Sequence, residues 1–283
     1  MRIGESIARG IFFLCASSSI LILLTLLYFL WVSGGSAISN WIIHGFGWIW
    51  APEEQQYGII PLIYSTLYVA LGATIFASVI GILSGIYLAE YADQRLRNAV
   101  KPGLEMLSGV PSIVLGLFGS IIITALIYDV TGTSYSYIVV WITLGILIMP
   151  TITSLTEDSI RAVPSGYKEA SYALGASRWQ TTYRVVVPSA RSGIINAFLL
   201  TFGRGMGEVM VVYFTAGNVL PQISLDPFRM TSTIPIYIST YVGEGSSVPG
   251  QYQALNGMGL LLMAIVGIIN VVIYFTSRRA GIQ

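Results

Sequence analysis

Two charged residues four positions apart in an apolar stretch are the side chains of this sequence best suited to chemistry on an ion. They are Arg204 and Glu208, in Thr201-Phe202-Gly203-Arg204-Gly205-Met206-Gly207-Glu208-Val209-Met210. Near the centre of a bilayer each charge costs about 2.5–3.5 kcal/mol on insertion scales, so the pair is expected in a bundle interior or along a polar path. On a continuous helix the two share one face, and base before acid is the less favourable order, which weakens a purely stabilising role. The guanidinium fork suits a tetrahedral oxyanion. Glu208 would neutralise Arg204 between cargoes and compete with the anion, keeping binding weak enough for release. Gly203, Gly205 and Gly207 permit close backbone approach or local unwinding. The alternative is an ion pair that fixes helix packing, with neither residue touching cargo.

Other chemistry is largely excluded. One His and one Cys, His44 and Cys15, cannot build a metal cluster or a disulfide framework, so no metal and no cofactor is expected on this chain. His44 reads as an interfacial side chain and Cys15 as a small apolar one. The two lysines, Lys101 and Lys168, are followed by Pro102 and Glu169, whereas a P-loop needs Ser or Thr there. ATP hydrolysis by that route is ruled out, and so is a catalytic constellation, since Glu208 is the one acid deep in an apolar segment.

The elements that must position these residues follow from composition. Of 283 residues 54% are hydrophobic and 10% charged, too few charges to solvate a soluble domain of this length. Lipid is the expected solvent, and continuous apolar runs point to an all-α integral membrane fold, not a barrel. A hydrocarbon core of roughly 30 Å needs roughly 20 apolar residues per helix. Six segments qualify: Ile11–Val32, Ile59–Leu83, Leu104–Tyr128, Tyr137–Leu155, Gly193–Phe214 and Met258–Thr276. The first reads as an uncleaved helix.

Basic residues mark cytoplasmic loops. With both termini cytoplasmic, Arg2, Arg9, Arg95, Arg97, Lys101, Arg161, Lys168, Arg178, Arg184, Arg191, Arg278 and Arg279 all fall inside. The external segments hold Arg229 and the acids Glu53, Glu54, Asp129, Asp226 and Glu244. Two of these segments are long, Ser33–Gly58 and Thr215–Gly257. Trp41, Trp48 and Trp50 suit the first to the headgroup level. Residues 1–58 therefore read as a first helix with an interfacial segment, and 59–283 as the core.

The segment 157–191 is amphipathic, positively charged and too polar for lipid. Pro164 and Ser165 can start a short helix that Gly175 ends, and a second short helix can run from Ser177 to Pro188. Within it Glu169-Ala170-Ser171, three residues, Gly175, nine residues and Val185-Val186-Val187-Pro188 resembles the E-A-A-x3-G-x9-I-x-L-P loop of permeases from binding-protein-dependent ABC importers. The resemblance implies the type I (MetI-like) permease fold, with Glu169, Ala170, Ser171, Gly175 and Pro188 docking in a cleft of a cytoplasmic ATPase. ATP and Mg would then be bound by that partner.

The stretch from Gly203 to Glu208, continued by Val209-Met210-Val211-Val212 and Gly217-Asn218, resembles the G-R-A-x-G-E-T-M-A-V…G-N pattern of phosphate-specific transport permeases. So do Trp50, Pro52 and Tyr57-Gly58 leading to Pro61–Leu67, Tyr87-Leu88-Ala89-Glu90-Tyr91, and Val110-Pro111-Ser112-Ile113-Val114-x-Gly116. The likeness is to the PstC type more than the PstA type. It implies a prokaryotic cell-membrane permease that works with a second permease subunit, two ATPase subunits and an external phosphate-binding protein, with no nucleic-acid partner. It also implies that Arg204 and Glu208 lie on the translocation path. An importer of another oxyanion (sulfate or molybdate) and a secondary transporter are the alternatives.

Overall fold

The structure is a computed structural model. It describes residues 2–51, 54–243, 248 and 250–279, with side chains outside 2–7 and 276–279. Pro52, Glu53, Glu244 and the side chains of Arg2, Arg278 and Arg279 lie outside the described residues. Five of the described helices are long and apolar enough to cross a membrane, or six when one bent pair is counted as a span. The chain forms two compact units, Met1–Ile60 with Tyr237–Ala264, and Pro61–Ile236 with Ile265–Gln283.

In the first unit α1 (Arg2–His44) continues well past Val32, where the apolar run suggests an end. Much of the expected external segment is therefore helix. The extension is held by packing: a Cβ added to Gly34 would lie 2.6 Å from the Asn256 carbonyl carbon, so only glycine allows this approach. Trp41 is buried and donates its indole N–H to the Tyr57 carbonyl (2.8 Å), contrary to a wholly interfacial reading of that ring. Beyond it β1 (Trp50–Ala51) pairs antiparallel with β2 (Gln56–Tyr57), and Trp50 stands edge-on to Tyr57 and Tyr237.

The second unit is built on α2 (Ile60–Glu90) and α6 (Tyr137–Arg161), its most buried long helices. Small residues at fourfold spacing, Ala73, Ala77, Gly81 and Gly85, make one face of α2 narrow. A Cβ on Gly85 would lie 2.7 Å from the Thr153 carbonyl oxygen of α6, so the two backbones touch through that stripe. Around it Val69, Leu144, Ile148, Ile152 and Val211 form the core.

The third predicted span starts later than expected. Residues 94–108 form a separate amphipathic helix, α3 (Gln94–Ser108), whose first turn is capped by Asp93 accepting from the Leu96 N–H at 2.8 Å. Pro111 cannot continue that helix, and the membrane-crossing run begins at α4 (Ser112–Phe118). It proceeds through a π-helical turn, Gly119–Ile123, into α5 (Thr124–Thr131).

The fifth predicted span is broken. Its first part is α10 (Arg191–Met206), capped at Gly207, and its second is the short α11 (Met210–Thr215). Glycine costs about 1 kcal/mol relative to Ala in a helix interior, and three in five residues end the helix here. The connection after Thr215 is tied down: the Tyr137 and Ile138 N–H groups donate to the Arg229 and Pro227 carbonyls, and Tyr64 and Tyr68 hydroxyls donate to Ser224 and Leu225 carbonyls. It leads to α12 (Ile234–Tyr241), and α13 (Gln251–Arg279) supplies the last span, starting before Met258.

Candidate functional site

Between α6 and α10 the second unit carries α7 (Ser165–Ala173), α8 (Arg178–Thr181), a π-helical turn Thr182–Val186 and α9 (Val187–Ser189). Each boundary has a local cause. Pro164 precedes the first helix, and Gly175 ends it with φ +79°, a left-handed conformation that glycine adopts without strain. Ser177 starts the second through a reciprocal capping box with Gln180. Ser171 Oγ lies 2.9 Å from Thr181 Oγ1 in a buried contact, so a small residue at that position lets the two helices close on each other. Val186 and Ala190 pack on Ile160 and Val163 at the end of α6. The result is the expected compact knob, and the segment from α8 through α9 is bent 64° from α10.

Glu169 and Ala170 are exposed on this knob, beside a set of exposed apolar side chains: Leu174 is 89% exposed, and Trp179 and Tyr183 are stacked with ring centroids 6.0 Å apart. Exposed aliphatic and aromatic groups on a segment this polar suit a protein contact. Pro188 lies in α9.

Arg204 and Glu208 do not share a helix face. Because α10 ends at Met206, Glu208 sits in the break before α11, half-buried, with its N–H directed to the Gly205 carbonyl at 3.4 Å. The expected ion pair is absent. Arg204 instead donates from Nη1 to Thr151 Oγ1 of α6 at 2.8 Å. It remains exposed to a groove of about 320 Å³ lined by Glu105 and Ser108 of α3 and by Thr151 and Ser154 of α6. Gly207 is the helix cap, and Gly205 is buried in ordinary contact with Ala70 and Ile148. Gly203 has nothing within 4 Å of an added Cβ, so close approach does not explain it. A guanidinium braced by one hydroxyl, in a groove that also carries Ser108 and Ser154, can pair with a small polyoxygen anion, while the Glu105 carboxylate on the same lining opposes that anion's charge. Sequence reasoning missed Thr151 and Ser154, whose polarity inside an apolar helix was the available signal.

Two carboxylates outside the expected set join the helices at the knob end. Glu157, buried on α6, is ringed by Arg161 Nε at 3.2 Å, Arg97 Nε at 3.6 Å and Lys101 Nζ at 3.8 Å. Arg97 also donates to the Leu88 carbonyl at 2.7 Å, so α3 is held to both α2 and α6. Glu90, buried at the end of α2, pairs with Lys168 of α7. In the first unit, His44 lines a separate cavity of about 690 Å³ with Asn40, Trp41, Tyr57 and Gln253.

Residues 77–279 match the model of the family described as binding-protein-dependent transport system inner membrane component. The chain is 30% identical over 292 residues to the probable ABC transporter permease protein YqgH of Bacillus subtilis, covering 98% of this chain and 93% of that one. It is 32% identical over 287 residues to the phosphate transport system permease protein PstA 1 of Mycobacterium tuberculosis (98% and 91% covered). To PstC of Xylella fastidiosa it is 29% identical over 257 residues (82% and 78% covered). An inward-facing structure of the MetNI methionine ABC transporter superimposes with a TM-score of 0.62 at 21% identity, covering 78% of this chain and 95% of that one.

Proposed function

Because this chain belongs to the family of binding-protein-dependent transport system inner membrane components, we propose that it is the permease subunit of an ATP-driven importer that carries inorganic phosphate across a prokaryotic cell membrane. Relatives named as phosphate permeases of both the PstA and PstC kinds support the cargo. The observation that carries the reading is the Arg204–Thr151 hydrogen bond at the edge of a groove that also carries Ser108 and Ser154.

Phosphate released by an external binding protein enters the path formed with a second permease subunit. Arg204 offers a fixed positive charge and a planar donor pair to its oxygens, and Thr151 holds the fork in place. Glu105, the carboxylate that lines the groove, opposes the anion's charge and keeps its residence short, and Glu208, in the break after α10, acts on the path from outside that lining. The basic loops face the cytosol, where a pair of ATPase subunits grips the knob through Glu169, Ala170 and the exposed Leu174 and Trp179 surface. ATP and Mg are bound by those subunits, and this chain converts their closure into helix movement.

Arg204→Gln tests the cargo role. Losing a charge-assisted contact of about 1.5–3 kcal/mol lowers the initial rate of phosphate uptake about 10- to 100-fold with the chain still inserted in the membrane. Arg204→Lys retains a larger share of transport than Gln. Wild-type uptake by Arg204→Gln refutes an anion contact at this residue.

A further inference from the structure

α2 has a single charged residue, Glu90, at its C-terminal end. That is a poor place for a carboxylate: the helix dipole is negative there, and the residue is only 8% exposed. Something must hold it. The Lys168 ammonium lies 2.5 Å from Glu90 Oε1, with side-chain exposures of 25% and 6%. The backbone at the same position is also occupied, because Arg178 donates to the Glu90 carbonyl oxygen. The next residue extends the contact, with the Arg178 guanidinium 4.9 Å from the Tyr91 ring centroid and the Tyr91 hydroxyl donating to Thr182 Oγ1 at 3.4 Å.

Lys168 belongs to α7, Arg178 to α8 and Thr182 to the turn that follows. Glu90, the last residue of α2, and Tyr91 directly after it therefore grip both helices of the knob. From there the path to the groove is short: α2 lies backbone-to-backbone on α6 at Gly81 and Gly85, and α6 carries Thr151 and Ser154 of the Arg204 groove. Packed interiors move as discrete bodies, so a displacement applied to the knob is delivered to α2 through this contact.

We propose that Glu90 is a positioning residue for energy coupling: its buried pair with Lys168 transmits movement of the ATPase-gripped knob to α2 and, through α2, to the groove. The inference rests on the importer reading above. It assigns Glu90 no contact with cargo or nucleotide. Its role is distinct from that of Glu169, the exposed neighbour of Lys168, which faces the ATPase.

The test uses the whole importer complex with Glu90→Gln, Lys168→Met and the double exchange Glu90→Lys with Lys168→Glu. The first readout is phosphate moved per ATP hydrolysed. The second needs no phosphate: with Cys15→Ser and Ser154→Cys, the thiol-labelling rate is compared before and after the ATPase is trapped with ATP and vanadate. In the parent complex trapping changes labelling about fivefold or more, the size of an ordinary coupling between sites. Each single variant is expected to keep its ATPase yet lose most of both signals, and the double exchange to recover them. A lowered ATPase yield with an unchanged transport-to-ATP ratio and unchanged trapping response in what assembles makes the pair a structural brace only and overturns the proposal, as do single variants that behave like the parent. A trapping response that depends on Glu90 in a complex that moves no phosphate refutes the cargo reading and leaves the coupling role standing.

Discussion

Thr151→Val removes one hydroxyl from the groove and almost no volume, isolating the contact that fixes Arg204. The hydrogen bond it deletes is 2.8 Å long and ends on a charged group. Such bonds contribute about 1.5–3 kcal/mol when buried. Arg204 is exposed to the groove, so water replaces much of the lost interaction and about 1 kcal/mol remains. At 1.4 kcal/mol per decade, KM for phosphate uptake rises about fivefold with little change in maximal rate, because a loosened guanidinium weakens anion binding throughout the path. Thr151→Ser, which keeps the hydroxyl, stays within about twofold of the parent on the same reasoning. The assay is initial-rate uptake of labelled phosphate across a range of external concentrations. Residues that act as one unit are non-additive, so Thr151→Val has little further effect in an Arg204→Lys background. A Thr151→Val chain with unchanged KM, or a full fivefold effect in both backgrounds, refutes the idea that Thr151 works through Arg204.

Glu157→Gln leaves Arg97, Lys101 and Arg161 around a neutral group; water reaches Lys101 and Arg161, so the cost is about 2–3 kcal/mol, below that of a wholly buried broken pair. Its thermal unfolding midpoint in detergent falls well below that of Arg161→Gln, whose half-exposed side chain is worth about 1 kcal/mol or less; equal midpoints contradict this. Gly85→Val brings a side chain against the Thr153 carbonyl and Thr156 of α6, an overpacking cost of about 1–3 kcal/mol, and lowers the same midpoint, whereas Gly166→Ala, with nothing within 4 Å, leaves it in place.

The parts of the structure legible from sequence are those where one local signal decides. The second, fourth and sixth spans are long continuous apolar runs, and the knob is bounded by Pro164, Gly175 and Ser177, each with its own backbone reason. Legibility fails where a boundary depends on a neighbour. The first helix runs to His44 because Gly34 and Trp41 pack on residues far along the chain. The apolar run of the third span starts at Leu104 because the last turn of the amphipathic α3 is itself mostly apolar, although Pro111 marks the break. At the site, residue type alone marks Arg204, but i,i+4 pairing with Glu208 needs an unbroken helix that three glycines do not sustain. Thr151 and Lys168 were invisible as partners, since Arg204 is 53 residues from the first and Glu90 is 78 from the second. Only the tertiary fold brings them together.

On the proposed function, a nucleotide-driven partner working on the knob moves phosphate past Arg204. The most direct measurement of this movement is accumulation of labelled phosphate in vesicles that hold the purified complex and the external binding protein, with and without ATP on the knob side. Accumulation is expected to require ATP on that side and to persist when proton and sodium gradients are collapsed. Accumulation driven by an ion gradient in the absence of ATP would contradict the proposed function.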